Sequence, residues 1–244
     1  MKQLHRSSGR AAIFGSTVTA LAIGMSLMPS TAARAAELSG SASLTSDYVW
    51  RGTSQTHGNA AFQAGFAVGG ASGFYASVWG SNIDFGPGTD ARAELDTAVG
   101  WSHALGRDWA LDVSVLHYAY PGSDADLDWT ELDGTLTWRD NYWASLGWSP
   151  EALGSDSSGT YALVGAAFPV ADRFRIEATL GHYFLDDVAF ADDGYTDAAL
   201  SAIWAFSGPF EARLSAHATS SSARTIFGDE IAGSRIEAAL QASF

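Results

Sequence analysis

RIEAALQASF, the last ten residues of the chain (235–244), carries an apolar side chain at every second position from Ile236 to Phe244. Arg235, Glu237 and Ser243 stand in the alternate positions. Alternation of apolar and polar residues is the pattern of a β-strand with one apolar and one polar face. The segment therefore predicts a terminal strand whose apolar face ends on an aromatic ring.

The same alternation recurs from residue 37 to the end of the chain, and we count twelve strand-like segments. They cover residues 37–50, 60–69, 73–84, 91–103, 109–119, 127–138, 142–149, 159–168, 174–184, 195–206, 210–219 and 235–244. Their connections alternate between short turns and longer loops, which is the pattern of an outer-membrane barrel with periplasmic turns and outer loops. In hydrocarbon every backbone polar group must be paired, and a closed antiparallel sheet achieves this. We therefore predict a transmembrane β-barrel of about twelve strands.

The first 35 residues have the three-part pattern of a secretory signal peptide. Three basic residues stand within the first ten, residues 11–28 carry no charge, and Ala-Arg-Ala ends at Ala35. The uncharged stretch is interrupted by Gly, Ser and Thr, and it falls short of the ~20 apolar residues that a spanning helix needs. We expect a cleaved signal peptide over residues 1–35 and a mature barrel over residues 36–244.

Charge and cysteine content exclude several classes of function. The chain has 13 basic and 27 acidic residues, and the predicted signal peptide removes four of the basic ones, so the mature part keeps nine and has a net charge near −18. Such a balance disfavours a nucleic-acid partner, which needs a basic surface. The chain has no cysteine. Disulfides, cysteine metal ligands and a thiol nucleophile are therefore excluded.

A soluble β-sandwich would also give short alternating strands, but the aromatic residues favour a barrel. One group flanks the short turns, and it comprises Trp101, Trp109, Trp138, Tyr142, Phe168, Phe174, Phe206 and Phe210. A second group lies near the long loops, and it comprises Trp50, Tyr118, Tyr120, Trp129, Trp148, Tyr161, Phe184 and Tyr195. Two such bands predict the aromatic girdles of a lipid-facing wall.

The expected location is the bacterial outer membrane, with the lipid bilayer and lipopolysaccharide as surroundings. A chain that ends on Phe244 after a strictly alternating strand resembles a client of the barrel-assembly machinery, so we expect Phe244 to be read by that machinery. Acidic stretches at residues 124–128 and 192–193 fall in outer loops. We expect them to be solvated or to lie beside lipopolysaccharide-associated cations, because their spacing does not match a calcium-binding loop.

Residues 46–56, SDYVWRGTSQT, are similar to the hallmark of the TorF-type porin family of Gram-negative outer-membrane proteins. The residues that carry the similarity are Ser46, Asp47, Tyr48, Arg51, Gly52, Ser54 and Gln55. Residues 73–84, GFYASVWGSNID, and residues 94–101, ELDTAVGW, resemble two further blocks of that family. The resemblance extends over nearly the whole mature chain and implies a porin-like barrel without an agreed substrate.

The polar faces of the predicted strands would line the lumen. The acidic residues on these faces are Glu94, Asp96, Asp112, Glu131, Asp133, Glu177, Asp197, Glu211 and Glu237, and the basic residues are Arg92, Arg175, Arg213 and Arg235. Barrels of about 8 strands are filled by their own side chains, whereas those of roughly 16 enclose a channel. A twelve-stranded barrel leaves two possibilities open, a narrow pore or a lumen plugged by paired charges. The sequence leaves the phases of residues 73–84 and 127–138 open.

Two hypotheses for function follow from this lumen. We favour a passive, porin-like channel for small hydrophilic solutes with a weak preference for cations, and the alternative is a structural or adhesive barrel with a plugged lumen. A hydrolase in the lumen would depend on His217, the one clearly inward histidine. The sequence contains neither a G-x-S-x-G nor an H-E-x-x-H motif. We therefore expect neither an enzyme nor a metal or other cofactor.

One residue pair tests the closure of the barrel. Asp47 and Arg51 share a face of the first segment, but four residues of strand would separate them by ~13 Å. We expect no ion pair between them. Closure places the first segment beside the last, so Asp47 is expected to meet Arg235 at the seam.

Overall fold

The computed structural model describes residues 36–86, 89–187 and 189–244, so the predicted signal peptide lies outside the described residues. Twelve antiparallel strands close into a barrel, and the predicted fold class is confirmed. The barrel strands are β1 (Glu37–Thr45), β4 (Ala61–Gly69), β5 (Phe74–Asn82), β6 (Ala93–Ala104), β7 (Trp109–Ala119), β8 (Trp129–Trp138), β9 (Tyr142–Ser149), β10 (Gly159–Ala171), β11 (Phe174–Phe184), β12 (Gly194–Ser207), β13 (Phe210–Thr219) and β14 (Arg235–Ser243). Between β1 and β4, two short strands, β2 (Val49–Trp50) and β3 (Thr53–Ser54), form a separate hairpin.

The barrel closes by pairing its first and last strands. β1 and β14 run antiparallel, with Ser41 opposite Ser243 and Thr45 opposite Ala239. At the end of the seam, the backbone N–H of Gly40 donates to the carbonyl of Phe244 at 2.7 Å, and the N–H of Phe244 donates back at 2.9 Å. All other barrel strands pair with their neighbours in sequence. The sheet therefore has no free edge, as a lipid environment requires.

Large apolar side chains cover the outside of the wall. Phe74 and Val78 are exposed, so they face outward, whereas Tyr75 and Trp79 contact lumen residues. This settles the phase of residues 73–84. In β8, Leu132 is exposed and Glu131 is buried, as the sequence predicted for that strand. Exposed apolar residues on one face and buried polar residues on the other are the arrangement of a membrane barrel with a hydrophilic lumen.

The aromatic bands agree with the prediction on one side of the barrel only. Beside the short turns the rings form a continuous series, with Trp138 5.3 Å from Tyr142 and Tyr142 6.2 Å from Phe168 between ring centroids. Near the long loops, Trp148 and Phe184 are exposed as expected. The other members of the predicted outer band, Trp50, Tyr118, Tyr120, Trp129, Tyr161 and Tyr195, are buried or half-buried. That part of the prediction was wrong, because Tyr118, Trp129, Tyr161 and Tyr195 lie in phase with the lumen face.

The predicted first segment, residues 37–50, was also wrong in its second half. β1 ends at Thr45, and the chain bends inward so that Tyr48 and Trp50 are 1% and 7% exposed instead of facing lipid. Residues 46–59, which we call the plug loop, contain the β2–β3 hairpin and fold back into the outer end of the lumen. Two short helical elements also lie in outer loops, a 3₁₀ turn at Ala152–Gly154 and α1 at Ser221–Phe227. Among the described residues, no helix has the length and apolar character to cross a membrane.

The tip of the β2–β3 hairpin explains why the plug loop turns so sharply. Trp50 pairs with Thr53, which leaves Arg51 and Gly52 as the two central residues. Their φ angles are +44° and +78°. Positive φ at both central residues is the requirement of the type I′ turn, whose twist suits a two-residue hairpin. Glycine adopts this region freely, whereas arginine does so at a cost.

Candidate functional site

The plug loop is anchored by the carboxylate of Asp47. Its Oδ1 accepts hydrogen bonds from the hydroxyls of Ser54 at 2.5 Å and Thr56 at 3.0 Å. Its Oδ2 accepts one from Nη1 of Arg235 at 2.9 Å. The predicted contact between Asp47 and Arg235 is therefore confirmed. Asp47 reaches it from beyond the end of β1, since the strand stops before this residue.

Ser46 and Gln55 also hold the plug loop to the wall. The backbone N–H of Ser46 donates to the carbonyl of Ala238 at 2.8 Å, and the N–H of Ala238 donates to Oγ of Ser46 at 2.9 Å. The N–H of Gln55 donates to the carbonyl of Tyr48 at 2.7 Å, and the carbonyl of Gln55 accepts from the N–H of Asp84 at 2.8 Å. The loop is thus bonded to β14 on one side and to the connection after β5 on the other.

Tyr48 connects the plug loop to the acidic residues of the lumen. Its hydroxyl donates to Oε1 of Glu94 at 3.1 Å, and its ring stands edge-on to that of Trp79 at 5.4 Å. A buried tyrosine hydroxyl needs such a partner. Sequence alternation placed this residue on the lipid face, whereas the structure places it in the lumen.

Arg51, the arginine of the plug loop, is almost completely buried in the lumen. Its Nη2 donates to both carboxylate oxygens of Glu131, at 2.8 and 2.7 Å, and only 1% of either side chain is exposed. Its guanidinium carbon lies 4.2 Å from the ring centroids of Trp50 and Tyr161 and 4.8 Å from that of Tyr183. Burial opposes the charge, but the carboxylate of Glu131 outweighs it and raises the pKa of Arg51 above its ordinary value. Arg51 therefore stays charged. Its ion-pair partner is Glu131, whereas Asp47 pairs with Arg235, so the prediction that Arg51 and Asp47 do not pair is confirmed.

Aromatic rings complete the closure of the outer lumen. Tyr118 and Trp129 face each other across β7 and β8 and stack with their centroids 4.2 Å apart. Trp50 meets both rings edge-on at 6.1 Å. Residues from both the plug loop and the barrel wall therefore fill this end of the lumen with packed rings.

One wall of the lumen is acidic. Glu94, Asp96, Asp112, Glu131 and Asp133 come from the adjacent strands β6, β7 and β8, all on the inward face. Asp112 accepts a hydrogen bond from the Tyr75 hydroxyl at 3.0 Å. Within the described residues, Oδ1 of Asp96 and Oδ2 of Asp133 are buried and have no hydrogen-bond partner. This wall therefore concentrates five carboxyl groups, and two of their buried oxygens have no partner among the described residues.

The wall on the other side of the seam carries a network of paired charges. Arg175 donates to Glu177 at 2.8 Å and to Glu211 at 2.7 Å, and Arg213 donates to Glu177 at 3.1 Å. These residues belong to β11 and β13. Paired guanidinium and carboxylate groups within hydrogen-bond distance largely cancel each other's field, so this wall is close to neutral.

Two further acids complete the inward set. Asp197 accepts from the Tyr161 hydroxyl at 2.9 Å. Glu237 accepts from the Thr45 hydroxyl at 2.7 Å and lies 3.0 Å from Nε2 of His217. The partner of the inward histidine is thus a carboxylate rather than a serine. Among the described residues, no group of three or more histidine, cysteine, aspartate or glutamate side chains is arranged to hold a metal ion.

The nine acidic residues assigned to the lumen all face it, and so do Arg175, Arg213 and Arg235. Arg92 does not: it precedes β6, its side chain is 66% exposed, and it lies 3.5 Å from Asp84 in an outer loop. The sequence reading missed Arg51 as a lumen cation. The available signal was Arg-Gly between two short β-prone pairs, which is compatible with a two-residue hairpin. This signal is hidden in the sequence because Tyr48 and Trp50 continue the alternation of β1.

Comparisons with known proteins agree with this architecture. A family model described as a bacterial protein of unknown function, Gcw_chp, matches residues 29–242. Among solved structures, the NanC porin aligns with a TM-score of 0.55 at 12% identity and covers 85% of this chain and 99% of its own. The KdgM porin aligns at 0.52 and 7%, covering 86% and 99%, and the COG4313 outer membrane channel from Pseudomonas putida F1 at 0.50 and 9%, covering 89% and 98%. No curated protein matches. At these identities the likeness shows the fold, which is that of porin barrels.

Proposed function

Since the chain belongs to the Gcw_chp family of bacterial proteins of unknown function, we propose that it is a porin-like passive channel of the bacterial outer membrane for small hydrophilic solutes. The observation that carries this proposal is the division of the wall, with exposed apolar side chains outside and hydrogen-bonded charged side chains inside. A lumen of this composition suits hydrated solutes. The similarity of residues 46–56 to TorF-type porins supports the same proposal.

The charge of the lumen supports a weak preference for cations. The nine inward acids and Asp47 face four lumen arginines of the described residues, which are Arg51, Arg175, Arg213 and Arg235. Four arginines cannot neutralise ten carboxylates. A KdgM porin structure is described as a complex with disordered oligogalacturonate, a polyanion. The excess of acids in this lumen argues against polyanions and for neutral or cationic solutes.

The plug loop supports the alternative, a structural or adhesive barrel with a closed lumen. Conduction requires the loop to leave the outer lumen at least transiently. The barrel allows a direct test, because Thr45 and Ala61, which flank the loop, are directly paired across β1 and β4. A short turn can therefore replace residues 46–60 without a change in strand register.

The experiment compares planar-bilayer conductance of the refolded mature chain with that of this loop-replaced variant. We expect the mature chain to be closed most of the time and the variant to stay open with a larger conductance. The matched control shortens residues 121–126, an outer loop that is mostly exposed, and it is expected to conduct like the parent. Absence of conductance from the parent and from the loop-replaced variant would contradict the channel and favour the structural barrel.

A further inference from the structure

The guanidinium of Arg51 sits in a compartment whose walls belong to the barrel. We call this compartment the cation box and define it by Glu131 of β8, Tyr161 of β10 and Tyr183 of β11. The plug loop contributes the Trp50 ring and the occupant itself. A carboxylate framed by aromatic faces is a general recognition device for organic cations.

The walls of the cation box are held by contacts that do not involve Arg51. The Tyr118 hydroxyl donates to Oε2 of Glu131 at 3.2 Å, and the Tyr161 hydroxyl donates to Asp197 at 2.9 Å. Tyr161 and Tyr183 are direct cross-strand partners, with ring centroids 5.7 Å apart. Because these contacts lie within the barrel, the box is expected to keep its shape when the plug loop is displaced.

Arg51 fills the cation box without using all of its donors. One nitrogen, Nη2, makes both bonds to Glu131, while the buried Nε and Nη1 have no hydrogen-bond partner among the described residues. An arginine and a carboxylate pair best through two parallel N–H···O bonds from different nitrogens. The hairpin turn fixes the backbone of Arg51 at positive φ, and this tether limits how the guanidinium can be presented. A free guanidinium is under no such constraint.

We infer that the cation box is a binding site for guanidinium-bearing or similar planar cationic solutes, and that Arg51 is its tethered internal occupant. The box lies near the outer ends of β8, β10 and β11, where a solute from outside would enter the lumen once the plug loop moves. The binding site stands independently of conduction, whereas its use in transport rests on the channel function proposed above.

The test measures binding of methylguanidinium to the refolded mature chain by calorimetry, in the parent and in Arg51→Ala. Urea, which has a similar planar shape but no charge, and sodium chloride at equal ionic strength serve as control solutes. Arg51→Ala is expected to bind methylguanidinium at least tenfold more tightly than the parent and not to bind urea. The double variant Arg51→Ala with Glu131→Gln is expected to lose this binding. Equal affinity in the parent and in Arg51→Ala, or equal affinity for urea, would overturn the inference.

A second variant covers the case in which Arg51→Ala does not refold. Arg51→Lys keeps a positive charge against Glu131 but gives up the planar guanidinium. Methylguanidinium is therefore expected to bind Arg51→Lys at least threefold more tightly than it binds the parent. Failure of both variants to bind more tightly than the parent contradicts the site. If methylguanidinium binds but the loop-replaced variant does not conduct, the binding site is supported and the channel is contradicted. If the loop-replaced variant conducts but methylguanidinium does not bind, the channel is supported and the binding site is contradicted.

Discussion

Gly52, at the tip of the plug loop, is the residue that lets the hairpin approach the wall at β12 and β13. A Cβ atom there would lie 2.6 Å from Cγ2 of Thr219 and 2.7 Å from Cβ of Asp197. Gly52→Ala is therefore expected to undock the plug loop while the barrel remains folded, since overpacking of ~1–3 kcal/mol adds to the backbone cost of positive φ. Amide hydrogen exchange of residues 48–56 measures the effect, and faster exchange is the expected result.

Gly58 provides the matched control for that substitution. It has a similar φ of +73°, but a Cβ there meets nothing within 4 Å. Gly58→Ala is expected to cost only the backbone term, about 1 kcal/mol, and to leave exchange of the hairpin nearly unchanged. Equal effects of the two substitutions would mean that the docking contact of Gly52 is unimportant.

The ion pair between Asp47 and Arg235 gives a second prediction at this scale. Their side chains are 6% and 12% exposed, and breaking a buried pair by removing one partner costs about 3 kcal/mol or more. Asp47→Ala is expected to lower the free energy of unfolding by about this amount. Urea unfolding of the refolded barrel, in a double-mutant cycle with Arg235→Ala, separates the coupling between the two residues from the loss of the Ser54 and Thr56 hydrogen bonds.

An exposed pair serves as the reference for that cycle. Asp84 and Arg92 lie 3.5 Å apart with 45% and 66% of their side chains exposed. Their coupling is expected to be below about 1 kcal/mol. A coupling between Asp47 and Arg235 no larger than this value would contradict a role for the pair in holding the plug loop.

The side of the wall on which a residue lies was predictable where one face of a strand is charged and the other is apolar. The period of two places acids such as Glu131 and Glu177 in the lumen, because charged side chains cannot face lipid without a large cost. Aromatic residues carry no such information. Tyr118, Tyr161 and Tyr195 fit either a lipid interface or a packed lumen, and the structure uses them in the lumen.

At the scale of elements, the terminal strand carries the clearest prediction. Phe244 is exposed at the rim beside the short turns, and its ring meets that of Phe66 at 6.3 Å. We expect the barrel-assembly machinery to read this residue, so deletion of Phe244 should lower the membrane-inserted fraction in cells. The deletion also removes the two seam hydrogen bonds with Gly40, about 1 kcal/mol each. Its effect on the stability of the barrel refolded in vitro should not exceed this amount by much, because an exposed ring buries little area.

Phe66→Ala is the matched control for that deletion. It removes the same contact between rings but leaves the end of the chain intact. Normal insertion of Phe66→Ala together with poor insertion of the deletion would support recognition of the terminus. Unchanged insertion after deletion of Phe244 would count against it. The inserted fraction is measured by heat-modifiable migration of the membrane-extracted protein.

The strands were predictable as elements, whereas the plug loop was not. Eleven of the twelve predicted segments correspond to single strands with shifts of a few residues at their ends, because turns of Gly, Asp and Pro interrupt the alternation. The first segment failed because the bend at Ser46 and Asp47 leaves the alternation unbroken. What turns the chain inward is a set of long-range contacts, with Glu94, Glu131 and Arg235. These contacts between distant parts of the chain cannot be predicted from the alternation of residues within one strand.

At the scale of the whole molecule, the lumen has two unlike walls. Among the described residues, the acids of the β6–β8 wall have no arginine partners apart from Glu131, whose partner Arg51 belongs to the plug loop. The β11–β13 wall holds the paired charges of Arg175, Arg213, Glu177 and Glu211. When the plug loop leaves, it removes Arg51 from the lumen together with Asp47. Opening therefore leaves the acidic wall unneutralised along the path of the solute.

This asymmetry predicts that the loop-replaced channel prefers cations over anions, since unpaired carboxylates in a narrow pore attract cations. The reversal potential under a potassium chloride gradient measures the preference. It should be clear in dilute salt and fade in concentrated salt, because the screening length falls from about 10 Å at 0.1 M to about 3 Å at 1 M. Asp112→Asn with Asp133→Asn removes two carboxyl groups of the acidic wall and should weaken the preference. Asp126→Asn, in an exposed outer loop, should leave it unchanged. A chloride preference in the loop-replaced channel would mean that the arginines of β11 and β13, and not the acidic wall, control the narrowest part of the path.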